Sequence, residues 1–372
     1  MARNQRIFYA CQAVAITTRG LGRVARDNIV QGVQSVGMSS TFTLDQVFEL
    51  GQIEIYENIE QIADVEVTIE KVIDGYNLIF DLATDGACKT DLVAASKARS
   101  DVLVAIYDDG VSHATGVPRN VCYNSGMYVS SVAYSYSVDG SATESVTMVG
   151  NDRFWHNIGQ TNGAQKLPLD GVIHLAPTGI WSSGNLASNP TYAFNSGLDA
   201  PKSGVVRKVN VDLANSTLPY VVKSQRGSDP SFAYGGAHLQ SISVSTDFGQ
   251  ENIEELGRFG PYHRYATFPI EVTCEFEVIA TSGDLVNVSG NAPNLSNESI
   301  TIKDEAGTVL NLGTKNKLSS VSYSGGDTGG GNATITYSYS NFNVLTVQGG
   351  SNKVFDAPEL ISNAAGALGG SE

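Results

Sequence analysis

Apolar and polar residues alternate strictly over 270–278, IEVTCEFEV. Ile270, Val272, Cys274, Phe276 and Val278 fall on one side, and Glu271, Thr273, Glu275 and Glu277 on the other. A period of two predicts a strand with one buried and one wet face. Residues 64–73, DVEVTIEKVI, repeat the pattern, with Val65, Val67 and Ile69 opposing Glu66, Thr68 and Glu70. Apolar runs predict further strands at 79–84, 102–107, 127–137, 144–149, 298–303 and 333–348, with the second acidic strand filling 268–280. LVAASKARSD (92–101) predicts a short helix, and Asp139-Gly140 a type I′ hairpin between two strands.

Much of this pattern occurs twice. Residues 33–56 and 239–262 align without a gap, and eight of the 24 positions are identical: Gln34/Gln240, Ser35/Ser241, Ser39/Ser245, Phe42/Phe248, Glu49/Glu255, Leu50/Leu256, Gly51/Gly257 and Tyr56/Tyr262. Val65–Thr68 then matches Ile270–Thr273, and Tyr134–Ser137 matches Tyr337–Ser340. Such a period is too long for a solenoid. It implies two domains of one fold: a first unit over 1–150, an insert or connector lobe over 151–235, a second unit over 236–350 and a C-terminal tail over 351–372. The insert is rich in Gly, Asn, Ser and Pro, and carries strand signals at 171–176 and 204–213. It holds both tryptophans, Trp155 and Trp181, which suit either core packing or a sugar site.

A chain of 372 residues with 41% hydrophobic content has ample material for cores, which excludes bulk disorder. Charged residues are only 16%, as in turn-rich all-β proteins with surface covered by partners. The net charge of −15 argues against gripping nucleic acid, which needs Lys and Arg on phosphates. Cys11, Cys88, Cys122 and Cys274 lack CxxC spacing and the five histidines lack ligand spacing, so no metal or other cofactor is expected. No run of 18 apolar residues is present to span a membrane. The opening MARNQRIFYACQAVAITT partly imitates a signal peptide, but Gln12 interrupts its short apolar core and it reads as a strand.

On the wet faces, carboxylates two residues apart stand roughly 6.6–7 Å from one another. Like charges at that spacing cost stability. The row is either an incidental solvated face or a surface that must stay negative. It lacks the asymmetry of an acid–base pair, and GxSxG, HExxH and P-loop motifs are missing, so no enzyme is expected. Each copy also carries Glu-Leu-Gly followed five residues later by Tyr. In the second copy Asn252 can start a helical turn that Gly257 ends, before Gly260-Pro261 reverses the chain. Leu50, Gly51, Tyr56, Leu256, Gly257, Pro261, Tyr262 and Arg264 are candidates for contacts between subunits, or for a plain structural corner.

The passage SISVSTDFGQENIEELGRFGPYHRYATFPIEVTCEFEVI and its weaker echo at 34–73 resemble the tail tube family of tailed bacteriophages and related contractile injection systems. The resemblance covers about 230 residues, leaving out the insert and the tail; the first copy departs from it with Glu54-Ile55 where the second has Gly260-Pro261. It implies a mainly β chain of two tandem tube-type β-sandwich or barrel units, each with a short helix, plus an irregular β-rich insert. It further implies stacked rings around a lumen that conducts double-stranded DNA without specific binding, in the tail of a virion assembled in the host cytoplasm. Expected partners are the chain itself, other tail proteins and a sheath. Two units per chain favour a homotrimeric, pseudo-hexameric ring over a hexamer. Glu66, Glu70, Glu271, Glu275 and Glu277 are the expected lumen-facing acids. A tail hub or terminator ring, and a carbohydrate-binding β-sandwich, are the alternatives.

Overall fold

The computed structural model describes residues 7, 12–18, 29–85, 87, 91–107, 120–157, 238–257, 261–280, 295–304, 306–325 and 331–349, with isolated positions between 211 and 222 and between 283 and 287. The first half carries β1 (Gln12–Thr18), β2 (Val33–Thr41), β3 (Leu44–Phe48), β4 (Ile55–Glu60), β5 (Asp64–Val72), α1 (Ile79–Ala83), α2 (Leu92–Ser96), β6 (Ser100–Ile106), β7 (Asn120–Ser137), β8 (Thr143–Gly150) and β9 (Asp152–Asn157). The second carries β10 (His238–Asp247), β11 (Gln250–Ile253), β12 (His263–Ala266), β13 (Glu271–Ile279), β14 (Thr301–Lys303), β15 (Val309–Asn311), β16 (Lys317–Ser324), β17 (Thr334–Phe342) and β18 (Thr346–Gln348). The chain is thus mainly β, as expected. The short helix expected in each unit is found in the first half, as α1 and α2; among the described residues the second half has none.

Eight strands form one antiparallel path, in the order β2, β5, β8, β7, β10, β13, β17, β16. The alternation read from the sequence holds in β5, β8 and β13, where every second side chain is buried. Smaller layers cover the buried face. Val14 and Ile16 of β1, Val102 and Val104 of β6, Ile79 and Phe80 of α1, and Ile302, Leu310 and Val347 of β14, β15 and β18 join one apolar core. That core also takes in Val67, Tyr134, Val244, Phe276 and Tyr339, so it is continuous beneath both halves. β6 is buried along its whole length because a second cluster, including Ala15, Leu103 and Tyr123, lies on its other side.

Several sequence expectations need correction, among them the type I′ turn at Asp139-Gly140: the loop between β7 and β8 is longer than two residues and Gly140 is not at positive φ. The strand expected over 79–84 is instead α1, Ile79–Ala83, because Glu144 of β8 accepts the Ile79 and Phe80 N–H groups at 2.6 and 3.1 Å and so caps a helix N-terminus. The Glu-Leu-Gly of the second copy does not end a helical turn; in both copies it lies in the turn of a β-hairpin, β3–β4 and β11–β12. Gly51 and Gly257 sit at φ +90° and +86°, a conformation that glycine alone adopts cheaply. The expected strand over 333–348 is broken at Asn343, itself at positive φ, into β17 and β18. The strand signal at 171–176, most of that at 204–213, Trp181 and the 351–372 tail lie outside the described residues.

Candidate assembly interface and acidic sheet face

Glu66, Glu70, Glu271 and Glu275 project exposed from the face of the long sheet opposite the core, and Glu277 is half-buried there. Three of them have hydroxyl neighbours on both sides: Glu70 lies between Ser35 and Ser145, Glu275 between Ser243 and Ser338, and Glu277 between Ser241 and Thr336. Ser35 Oγ donates to Glu70 at 3.3 Å and Ser241 Oγ to Glu277 at 3.0 Å. In β5, β7 from Ser131 onward, β8, β10 from Ser241 onward and β13, no Lys or Arg occupies this face. Over these strands the surface is negative or neutral and offers a polyanion no cation to adhere to; at the β16 edge one exposed lysine, Lys317 opposite Ser340, shares the face. Among the described residues no group of His, Cys, Asp or Glu is arranged to hold a metal.

The path divides into two runs of four strands that correspond one to one. β2 pairs β5 with an irregularity between Val33 and Ser35; β10 pairs β13 with one between Leu239 and Ser241. The extra residues are Gln34 and Gln240, and each donates Nε2 to the carbonyl two residues back, Gly32 at 3.2 Å and His238 at 3.1 Å. The β7–β8 ladder is interrupted between Val129 and Ser131, the β16–β17 ladder between Leu318 and Ser320. This equates SSVAYS (130–135) with SSVSYS (319–324), a match that sequence inspection passed over. Tyr134 thus corresponds to Tyr323, not to Tyr337. The YSYS match misled because any strand with tyrosines inward and serines outward reads that way. Register also pairs Glu66 with Thr273 and Glu70 with Glu277, two residues from the sequence alignment but on the same face.

The two hairpins differ in what they touch. β11–β12 folds against the first half of its own chain. Phe248, just before β11, is fully buried and stacks on Phe80 of α1 with centroids 6.2 Å apart. Gln250 Nε2 donates to the Ser96 and Val129 carbonyls at 3.1 and 3.0 Å. Arg264 donates to Asp64 at 2.7 Å and to Asn151, and His263 meets the Tyr128 ring edge-on. Arg264, a candidate for contacts between subunits, is therefore buried within the chain. Burial, with Arg99 and Lys97 nearby, holds His263 below the usual imidazole range.

By contrast β3–β4 is exposed at every residue, although Leu44, Val47, Phe48, Ile55 and Ile59 are apolar. Leu50 and Leu256 are fully exposed at the two tips, Gly51 and Gly257 are exposed beside them, and Tyr56 and Tyr262 are more than half exposed. Pro261 is half-buried at the start of the return strand. Phe42, the counterpart of Phe248, is 63% exposed. Exposed apolar surface on this scale marks an interaction site.

One further pair went unremarked in the sequence. Lys71 of β5 and Glu144 of β8 are register partners on the buried face, both fully buried. Lys71 Nζ donates to the Asn77 carbonyl at 2.8 Å and lies 3.4 Å from Asp74; Glu144 accepts from Tyr134 at 3.0 Å as well as from α1. Burial pushes the Glu144 carboxyl up from its usual range, and Lys71 with these hydrogen bonds pulls it part of the way back. The signal was a lysine on the apolar side of DVEVTIEKVI, which requires a buried partner. Cys274 is the buried apolar filler its position suggested, its thiol pushed up by burial. Trp155 stands 54% exposed on β9.

No protein-family model matches the chain, and no curated protein matches it. Among solved structures, similarity is found to the sheath–tube complex of an extracellular contractile injection system (PVC) in its extended state, at 11% identity over 42% of this chain and 95% of that one, with a TM-score of 0.31. The tube-terminating cap of the anti-feeding prophage gives the same identity, coverage and TM-score. The baseplate of that particle gives 12% identity over 42% of this chain and 98% of that one, at 0.29.

Proposed function

We propose that the chain is a structural subunit of a tail tube, and that its two four-strand runs are copies of one tube unit. The observation that carries this reading is that both runs share one acidic, hydroxyl-rich face on a single continuous sheet whose outer strands, β2 and β16, each pair on one side only among the described residues. Closure of such a sheet on itself removes the open edges that otherwise invite uncontrolled pairing. Three chains supply six units to a ring, the acidic face turns inward, and rings stack through a heterologous interface. Double-stranded DNA then passes a wall bearing Glu66, Glu70, Glu271, Glu275 and Glu277 without adhering. Other tail proteins, including a sheath where one is present, take the outer surface. The role is mechanical and electrostatic, with no catalytic step.

End-on electron microscopy of the purified chain at high concentration tests this reading. Hollow tubes of three-chain rings are expected; six chains per ring would replace the trimer, and monomers at every concentration would overturn the proposal. Rings that never stack would assign the chain to a hub or terminator position. Replacing Glu271, Glu275 and Glu277 by Lys should leave tubes assembled and impair DNA ejection, and unchanged ejection would remove the electrostatic role.

A further inference from the structure

The seam between the two runs, β7 against β10, is where strands of one unit pair with strands of its neighbour inside the chain. Its register sets Val244 opposite Tyr134, Ser245 opposite Ala133 and Asp247 opposite Ser131, and the Phe248 N–H donates to the Ser130 carbonyl at 2.8 Å. β2 is the counterpart of β10 and β16 that of β7, by the matched irregularities described above. Both lack a second strand partner among the described residues. The residues left bare are those the seam would cover. Tyr323 is 55% exposed where Tyr134 is 1% exposed, and Phe42 is 63% exposed where Phe248 is 0% exposed.

We propose that a second copy of this chain seats its β2 on β16 of the first, in the register of the β7–β10 seam. Gly37 then faces Ser324, Met38 faces Tyr323, Ser39 faces Ser322, Ser40 faces Val321 and Thr41 faces Ser320. The faces agree: Met38 pairs with buried Val67 and Tyr323 with buried Ile335, so both point toward the core side. Ser39 and Ser322 extend the hydroxyl face across the junction. The β3–β4 hairpin takes the place of β11–β12, which explains why its apolar residues are bare. At the position of His263 beside Tyr128 it brings Glu57 to Lys317, both exposed. An aromatic contact within the chain is replaced by opposite charges between chains, which specifies the partner and steers its approach. The proposal rests on the ring reading above and deepens it by naming the strands and side chains that join.

The test uses the full chain carrying Ser39→Cys and Ser322→Cys, treated with a short thiol-to-thiol cross-linker, since facing strand residues place Cβ atoms about 4.5–5.5 Å apart. A ladder of covalent oligomers is expected from the double variant, not from either single one, and Ser39→Cys with Ser324→Cys should give far less. Glu57→Lys and Lys317→Glu should each raise the concentration needed for ring formation about tenfold, because like charges then meet at the junction. Combining them should restore assembly. Rings that form without the ladder, or a charge swap that fails to rescue, overturn this junction and leave the tube reading standing. Monomers under all conditions overturn both.

Discussion

The two halves share a frame and differ in what fills it. Where β5 and β8 set Lys71 against Glu144, the corresponding ladder of β13 and β17 sets Val278 against Ile335. The first half keeps buried charges there, Lys71 paired with Asp74 and Glu144 capping α1; the second fills the same position with hydrocarbon. Buried ion pairs add little net stability over apolar pairs, because desolvating two charges offsets their attraction. Their use here is placement. Glu144 fixes where α1 begins, and α1 presents Phe80 to Phe248 across the boundary between the halves. Charge in one half thus positions the surface on which the other half's hairpin rests.

The largest effects should separate the two phenylalanines that precede the hairpins. Phe248→Ala should lower unfolding free energy by about 3–5 kcal/mol, as for other fully buried aromatics, whereas Phe42→Ala in the monomer should change it little. Urea titration of both variants decides this, and equal losses would break the comparison. Next, Lys71→Val takes the cation from its partner Asp74 and from beside buried Glu144, and should cost about 3–5 kcal/mol by the same measurement. Lys71→Val with Glu144→Ile, which transplants the second half's pair, should cost less than the two single changes summed. A remainder of about 1–3 kcal/mol per orphaned α1 N–H is expected, so the double variant should not reach wild-type stability.

The pH dependence is subtler. The folded state holds the Glu144 proton more tightly than the unfolded chain does, since burial raises its pKa. Its contribution is therefore most favourable at acid pH and declines as pH rises through the folded value. Glu144→Gln should flatten that part of the stability profile, read as melting temperature against pH. The smallest effect expected is at Arg264, whose partner Asp64 is 63% exposed in its side chain. Arg264→Ala should cost about 1 kcal/mol, and Asn58→Ala at the matching place in the bare hairpin should cost nothing in the monomer.

What was legible in the sequence was what local periodicity encodes. β5 and β13 alternate so strictly that their buried and wet faces follow from the residues alone, and the acidic face came with them. α1 was not legible, because IFDLAT suits strand or helix and the deciding cap comes from Glu144, some 65 residues away. The hairpin tips were misread because Glu-Leu-Gly ends a helix as readily as it turns a hairpin. The correspondence of β7 with β16 was hidden by spacing, since it runs at a different offset from that of β2 with β10. Only strand pairing reveals it. The burial of Arg264 depends on Asp64, 200 residues earlier, which no pattern along the chain announces.

The β7–β10 seam has one more consequence. It joins strands about 100 residues apart along the chain, and beyond β8 and β9 it closes the stretch of about 80 residues from the end of β9 to the start of β10. The entropy of closing so long a stretch grows only logarithmically, and doubling its length costs about 0.6 kcal/mol. Stability of the seam is therefore nearly blind to how long that stretch is. Insertions between β9 and β10 should change the stability of the seam little, provided that Leu213, Leu218 and Val222 keep their places in the core.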